Sequence, residues 1–87
     1  MNEAEKILCS VYRSPKKEGM YVYVRKHDGV DQLPETLLKQ FGVPGHVMDL
    51  LLTPDKKLAQ VNVRDVMAGI AAQGFYLQMP PRNGLGF

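Results

Sequence analysis

A short basic turn next to several tyrosines is the part of this sequence best suited to bind a charged ligand. The turn, SPKKEG, spans residues 14–19, and an arginine precedes it. Cationic side chains can hold phosphates and an exposed aromatic ring can stack on a base, so this pattern is typical of contacts to single-stranded RNA. The residues predicted to make such contacts are Arg13, Lys16, Lys17 and Tyr21.

The same turn also has a purely structural interpretation. Solvated lysines would lie above tyrosines that are buried in the core and reach water only with their hydroxyl groups. The net charge of +2 favours this interpretation, because nucleic-acid-binding domains are usually strongly basic. The sequence leaves both interpretations open.

A lone cysteine and two histidines raise the question of nucleophilic catalysis or metal binding. Cys9 alternates with Ile7 and Val11, which is typical of a small buried side chain and not of an activated thiol. His27 and His46 are far apart in sequence, and no spacing resembles that of a zinc or calcium site. The chain also lacks the glycine-rich phosphate-binding motifs. We therefore expect no catalytic residue, no metal and no cofactor.

Asp49 interrupts the apolar residues 47–51. A lone buried carboxylate would be costly or would have a raised pKa, and an acid in a cleft is a candidate catalytic residue. An inward-facing charge more often marks an edge strand, where it blocks association between sheets. We favour the edge strand, and a cleft around Asp49 and His46 is the enzymatic alternative.

The elements that must position these residues begin with four strands. Residues 7–13, 20–26, 47–53 and 75–79 are rich in β-branched, aromatic and other apolar side chains and are bounded by turn residues. The first two strands are predicted to pair as an antiparallel hairpin through the 14–19 turn. Pro80 and Pro81 end the last strand, because proline cannot donate to a sheet.

Two amphipathic helices are predicted between these strands. The first begins around Pro34 and Glu35, has Leu37, Leu38 and Phe41 on its apolar face, and ends at Gly42. The second begins after Asn62, a helix-capping residue, and ends at Gly74. Its apolar stripe is Val63, Val66, Met67 and Ile70.

The predicted element order is ββαβαβ, in an α+β or α/β fold with a single, mostly four-stranded sheet. Alternate residues of the strands are apolar on both sides, so both faces of the sheet need cover. One helix on each face would give an α/β/α sandwich. We expect one domain at residues 7–81, a frayed N-terminus at residues 1–6 and a flexible tail at residues 82–87.

Length and composition fit a small globular protein. The chain has 87 residues, of which 45% are hydrophobic and 23% charged, and a single cysteine, so it can form no internal disulfide. The sequence MNEAEK does not resemble a signal peptide, and no window is long and apolar enough to span a membrane. We expect a soluble, cytoplasmic monomer.

Several motifs along the chain resemble one protein family. They are C-S-V-Y-R-S-x-K-K, Y-V-Y-V, L-P-E-x-L-L, F-G-x-P, K-K-L-A and Q-G-F-Y-L-Q-M-P-P. Over residues 8–81 this series is similar to the YcgL family. The resemblance implies an α/β/α sandwich and brings no catalytic or binding residues with it. In some genomes the family's gene lies beside that of ribonuclease D, which points by association toward RNA.

Taken together, the sequence predicts a non-enzymatic binding or adaptor module. The sharper hypothesis is weak association with RNA or a ribonucleoprotein through the basic turn. The alternative is a protein–protein adaptor that docks its partner on the surface from Phe75 to Pro81. A contiguous exposed apolar area would support the adaptor, and a cleft with convergent polar groups would support an enzyme.

Overall fold

The structure, a computed structural model, describes residues 6–80, and within that range it contains four strands and two helices. The elements are β1 (Ile7–Arg13), β2 (Tyr21–Arg25), α1 (Glu35–Phe41), β3 (Gly45–Leu52), α2 (Val63–Gln73) and β4 (Phe75–Gln78). No helix in this part of the chain is long and apolar enough to cross a membrane. The predicted N-terminal fraying, C-terminal tail and domain limits involve residues 1–5 and 81–87, which lie outside the described residues, and they stay predictions.

The four strands form one sheet in the order β3-β1-β2-β4, and every neighbouring pair is antiparallel. The predicted α+β class with a single four-stranded sheet is therefore confirmed. β1 and β2 form the predicted hairpin, in which Arg13 lies opposite Tyr21. Because no neighbouring strands are parallel, neither helix connects adjacent parallel strands.

Three strands differ from their predicted limits by one or two residues. β3 begins at Gly45 instead of residue 47, because the pairing register shifts between Val11 and Tyr12 and brings Gly45 and His46 opposite β1. β4 ends at Gln78 instead of residue 79, since its partner there is Tyr21, the first residue of β2. β2 is one residue shorter than predicted at each end. Pairing partners, which are distant in sequence, thus set these ends.

Helix α2 has a defined start, a defined end and an apolar stripe. The Asn62 side chain accepts hydrogen bonds from the N–H groups of Arg64 at 2.8 Å and Asp65 at 3.4 Å, which caps the N-terminus. Gly74 ends the helix with a left-handed φ of 92°. The stripe packs on one face of the sheet, here called the α2 side. The core on this side consists of Ile7, Cys9, Val11, Tyr23, Leu52, Val63, Val66, Met67 and Ile70.

Helix α1 packs on the opposite face, here called the α1 side. Its last residue, Phe41, is fully buried. The turn between β1 and β2 holds this end of the helix, because the Ser14 hydroxyl donates to the Phe41 carbonyl and the Lys16 ammonium donates to the Lys39 carbonyl at 2.9 Å. The core on this side consists of Met20, Val22, Val24, Leu33 and Phe41.

The short helix α1 leaves the β1–β3 half of its side open. Leu8 and Leu51 lie opposite each other there and are 51% and 48% exposed. The next cross-strand pair on the same side is polar, Ser10 and Asp49. This half of the face therefore carries a polar cluster bordered by two exposed leucines.

Candidate functional site

Arg13 and Tyr21 lie at the end of the hairpin that joins the 14–19 turn. They are cross-strand partners, so their side chains are on the same face of the sheet. Both line a groove of about 570 Å³, here called the turn groove. Its other lining residues include Pro15, Glu18, Gly19 and Val43. The predicted cation and the predicted stacking ring therefore share one depression of the surface.

A larger groove of about 960 Å³, here called the sheet groove, lies on the α2 side. Its wall and floor include Val11, Tyr23 and Leu50 from the sheet, and Leu58 and Gln60 from the segment before α2. The residues that line both grooves are Glu18, Gly19 and Tyr21. The two grooves therefore meet beside the hairpin turn, with Tyr21 at the junction.

The two predicted lysines lie elsewhere. Lys16 donates to the Lys39 carbonyl of α1 and packs beside Gly42, so its ammonium is engaged in holding the helix end. Lys17 is exposed, and its backbone N–H donates to the Ser14 hydroxyl at 3.1 Å. Neither lysine lines either groove. The structure thus brings Arg13 and Tyr21 together and leaves Lys16 and Lys17 outside their groove.

Opposite charges line the turn groove. Arg13 and Glu18 are both exposed, and within residues 6–80 neither forms an ion pair. A charged group without an internal partner can interact with a ligand at no cost in broken protein contacts. Glu18 was not among the residues predicted from the sequence. Its position in the same turn as the lysines was the available signal, although the grooves that it lines depend on long-range packing.

A chain of hydrogen bonds crosses the sheet groove. The Tyr23 hydroxyl donates to Gln78 Oε1 at 2.8 Å, and Gln78 Nε2 donates to Gln60 Oε1 at 3.3 Å. Burial raises the pKa of Tyr23 above its usual value, so the hydroxyl stays a neutral donor. The Tyr76 ring packs edge-on against Tyr23, with 6.1 Å between centroids. Gln60 and Gln78 were not predicted as site residues, because strand pairing brings Gln78 beside Tyr23 and the long-range packing of the segment before α2 brings Gln60 there.

Asp49 is the centre of the polar cluster on the α1 side. The Ser10 hydroxyl donates to its Oδ1 at 2.6 Å, His46 Nε2 lies 2.9 Å from the same oxygen, and Lys26 Nζ lies 3.2 Å from Oδ2. These contacts, led by the Ser10 hydrogen bond, hold the pKa of Asp49 well below its usual range. The alternative of a raised pKa is therefore wrong. The predicted edge strand is confirmed, since β3 lies at one end of the sheet.

This cluster is not arranged like a nucleophile with its base. The Ser10 hydroxyl donates to the carboxylate of Asp49 and not to the imidazole of His46. The His46 ring also packs edge-on against Tyr12, at 5.3 Å between centroids. Neither Asp49 nor His46 lines the turn groove or the sheet groove. The geometry is that of a satisfied polar network on a sheet face.

Cys9 is fully buried in the α2-side core, as predicted. Burial raises the pKa of its thiol to about 12, so the sulfur stays protonated at neutral pH. A protonated, inaccessible thiol is a poor nucleophile and a poor metal ligand. Among the described residues, no group of three or more histidine, cysteine, aspartate or glutamate side chains is placed to hold a metal ion.

The surface predicted to run from Phe75 to Pro81 is mostly a core strand. Phe75 and Leu77 are partly buried against the α1-side core, whereas Tyr76 is partly buried against the α2-side core. Gln78 is buried and Met79 is exposed. Pro80 lines the sheet groove, and Pro81 lies outside the described residues. Little of this segment is therefore available for docking, except at its end beside the sheet groove.

Known proteins are similar to this chain over nearly its whole length. The YcgL domain matches residues 9–81. A YcgL domain-containing protein of Saccharophagus degradans is 56% identical over 75 residues, which cover 86% of this chain and 82% of that protein. Another from Stutzerimonas stutzeri is 50% identical over 76 residues, or 87% of this chain and 78% of that protein.

A third relative gives the same result. The YcgL domain-containing protein of Cellvibrio japonicus is 51% identical over 78 residues, which cover 90% of this chain and 80% of that protein. The matched region contains β1 from Cys9 onward, all of β2, the turn between them and the residues of both grooves from Val11 to Pro80. This chain belongs to the YcgL domain family.

Proposed function

We propose that this protein is a non-enzymatic binding module and that its ligand is single-stranded RNA, either alone or in a ribonucleoprotein. Arg13 contacts phosphate, and the Tyr21 ring stacks on a base. Lys17 adds positive potential from the rim of the turn. Lys16 contributes less than the sequence predicted, because its ammonium is engaged by the end of α1.

The main support is the position of Arg13 opposite Tyr21 at the end of the hairpin. The register places a cation and an aromatic ring on the same face, and both line the turn groove. Arg13 has no ion-pair partner within residues 6–80, so its guanidinium can bind phosphate with two parallel hydrogen bonds without breaking a contact.

A non-enzymatic role agrees with the state of the reactive groups. The Cys9 thiol is buried and protonated, and the Asp49 carboxylate is ionised and held by three donors. Neither group is poised to exchange a proton or attack a substrate near neutral pH. We further propose that the chain is a cytoplasmic monomer and that its two helices and sheet form an α/β/α sandwich.

The second candidate, a protein–protein adaptor at Phe75 to Pro81, has weaker support. Phe75, Tyr76 and Leu77 are partly buried against the two cores, and Gln78 is buried. Met79 and Pro80 are the part that could touch a partner. Binding of a partner there would leave affinity unchanged when Arg13 is substituted, which separates this function from RNA binding.

The test is a comparison of two arginine variants in RNA binding. Arg13→Gln should weaken binding of a mixed-sequence single-stranded RNA by about 1 kcal/mol, or roughly fivefold, because it removes a phosphate contact. Arg64→Gln is the matched control, since Arg64 is exposed on α2 and lines neither groove. Fluorescence anisotropy at low salt measures both. Equal affinities of the two variants would rule out the proposed site.

A further inference from the structure

We propose that the site prefers guanine, with the carboxylate of Glu18 as the group that recognises the base. This inference rests on the proposed RNA-binding function and names the chemistry of its ligand. Glu18 and Tyr21 both line the turn groove and the sheet groove, so they border the same stretch of surface. In the proposed complex, the carboxylate of Glu18 meets the base that stacks on the Tyr21 ring. A stacked base would therefore present an edge to that carboxylate.

A carboxylate at this position would weaken a site that bound only phosphate. The negative charge of a carboxylate repels the phosphates of the RNA backbone, and the group accepts hydrogen bonds but donates none to them. Glu18 forms no ion pair within the described residues that would neutralise it. Glu18 nevertheless lines the turn groove together with Arg13 and Tyr21. A ligand that presents phosphate to Arg13 and hydrogen-bond donors to Glu18 would satisfy both charged groups.

Among the four RNA bases, guanine offers the matching donors. Its Watson–Crick edge places the N1–H group next to the exocyclic amino group, so both oxygens of one carboxylate can accept in parallel. Adenine and cytosine each place a ring-nitrogen acceptor beside their amino group, and uracil places its single N–H between two carbonyl acceptors. Single-stranded RNA is recognised through these edges once its bases are unstacked.

The sheet groove supplies a complementary donor. Gln60 accepts a hydrogen bond from Gln78 through its oxygen, so its amide NH₂ group is the part that remains to donate to a ligand. Guanine carries a carbonyl oxygen, O6, on the same edge as its N1–H group. Glu18 and Gln60 both line the sheet groove, with the acceptor and the donor that this edge requires.

The test uses short RNAs that differ at one base. Affinities are measured at low salt by fluorescence anisotropy for UUGUU, UUAUU, UUCUU and UUUUU, with wild-type protein and with Glu18→Gln. Wild type should bind UUGUU roughly tenfold more tightly than the others, as expected for one bidentate base contact. Glu18→Gln should lose this preference, because the amide side chain presents a donor where guanine also presents one.

An inosine-containing RNA, UUIUU, provides an independent chemical control. Inosine keeps the N1–H group and O6 but lacks the amino group, so wild type should bind it more weakly than UUGUU, and Glu18→Gln should not distinguish the two. The wild-type half of this comparison does not depend on the stability of any variant. A circular dichroism melt of Glu18→Gln checks that the exposed substitution leaves the fold intact.

The outcomes separate the two proposals. Equal binding of all four RNAs by wild type would overturn the guanine preference and leave RNA binding standing. The same holds if Glu18→Gln strengthens binding of every RNA equally, since Glu18 would then act only as a repulsive charge. If no RNA binds even at low salt, RNA binding and the guanine preference both fail.

Discussion

Cys9 and Asp49 show how neighbouring positions of one sheet acquire opposite chemistry. Cys9 faces the dry core under α2, and burial raises the pKa of its thiol. Ser10, the residue after Cys9, pairs across the strands with Asp49, which faces the open half of the α1 side. Three donors there lower the pKa of the Asp49 carboxyl group. Both shifts stabilise the form that each group already has at neutral pH, so neither residue is a reactive group.

The lowered pKa of Asp49 predicts a specific pH dependence of stability. Because the carboxyl pKa is lower in the folded protein than in the unfolded chain, where it is about 4, its stabilising effect is present above that pH and is lost on acidification. Asp49→Asn removes the effect. The difference in unfolding free energy between wild type and Asp49→Asn should therefore shrink between pH 6 and pH 3 in urea titrations.

A second variant controls for the loss of a negative charge. Asp31→Asn replaces an exposed loop residue that takes no part in the Ser10–His46–Lys26 cluster. The pH-dependent difference should be larger for Asp49→Asn than for Asp31→Asn. If the two variants follow the same pH curve, the hydrogen bonds to Asp49 do not persist in solution.

Local capping residues define the second helix. Asn62 places one oxygen within reach of two backbone N–H groups of the first turn, and Gly74 supplies the left-handed residue that ends α2. The apolar stripe between these ends is buried in the α2-side core. The segment that leads into α2 contains Leu58 and Gln60, which line the sheet groove.

Removal of the cap should destabilise the domain measurably. Asn62→Ala deletes the acceptor for two N–H groups and should lower the free energy of unfolding by about 1 kcal/mol. Asn62→Asp keeps an acceptor at the same position and should restore most of that loss. Urea denaturation of the three proteins measures the difference. Equal stability of Asn62→Ala and Asn62→Asp would show that the cap contributes nothing.

The elements could be predicted from the sequence, whereas their arrangement could not. The helices α1 and α2 and the hairpin follow from short-range patterns such as the Val63–Ile70 stripe and the turn before Met20. The sheet order, with β3 beside β1 and β4 beside β2, depends on pairings between residues that are distant in sequence. Arg13 and Tyr21 flank the hairpin turn and could be predicted together, whereas the grooves that Glu18 and Gln60 line depend on packing between segments that are distant in sequence.

The two helices cover the sheet unequally, and this shapes the surface of the whole domain. α2 covers one part of its side and leaves the sheet groove beside it, while the seven-residue α1 leaves Leu8, Leu51 and the Asp49 cluster open. The α2 side therefore carries a concave surface with an aromatic junction, and the open half of the α1 side carries a satisfied polar network. The α2 side offers Arg13 and Glu18, which form no ion pair among the described residues.

The net charge of +2 limits how strongly RNA can bind through phosphate contacts. For a single strand, each phosphate contact adds about −0.7 to the slope of the logarithm of affinity against the logarithm of salt concentration. With Arg13 as the main contact and Lys17 at the rim, the slope should be small. Base stacking on Tyr21 must then supply a large share of the affinity, at about 1–3 kcal/mol per base.

The measurement that tests RNA binding most directly is a titration of isotope-labelled protein with mixed-sequence single-stranded RNA, followed by backbone amide shifts at low and then physiological salt. The proposed site predicts shifts at Arg13, Glu18, Tyr21 and the Leu58–Gln60 segment, all beside the two grooves, and weaker binding at the higher salt. Shifts centred on Leu8, Asp49 and Leu51 would place the ligand on the opposite face and contradict the proposal. An absence of shifts at low salt would rule out RNA as the ligand.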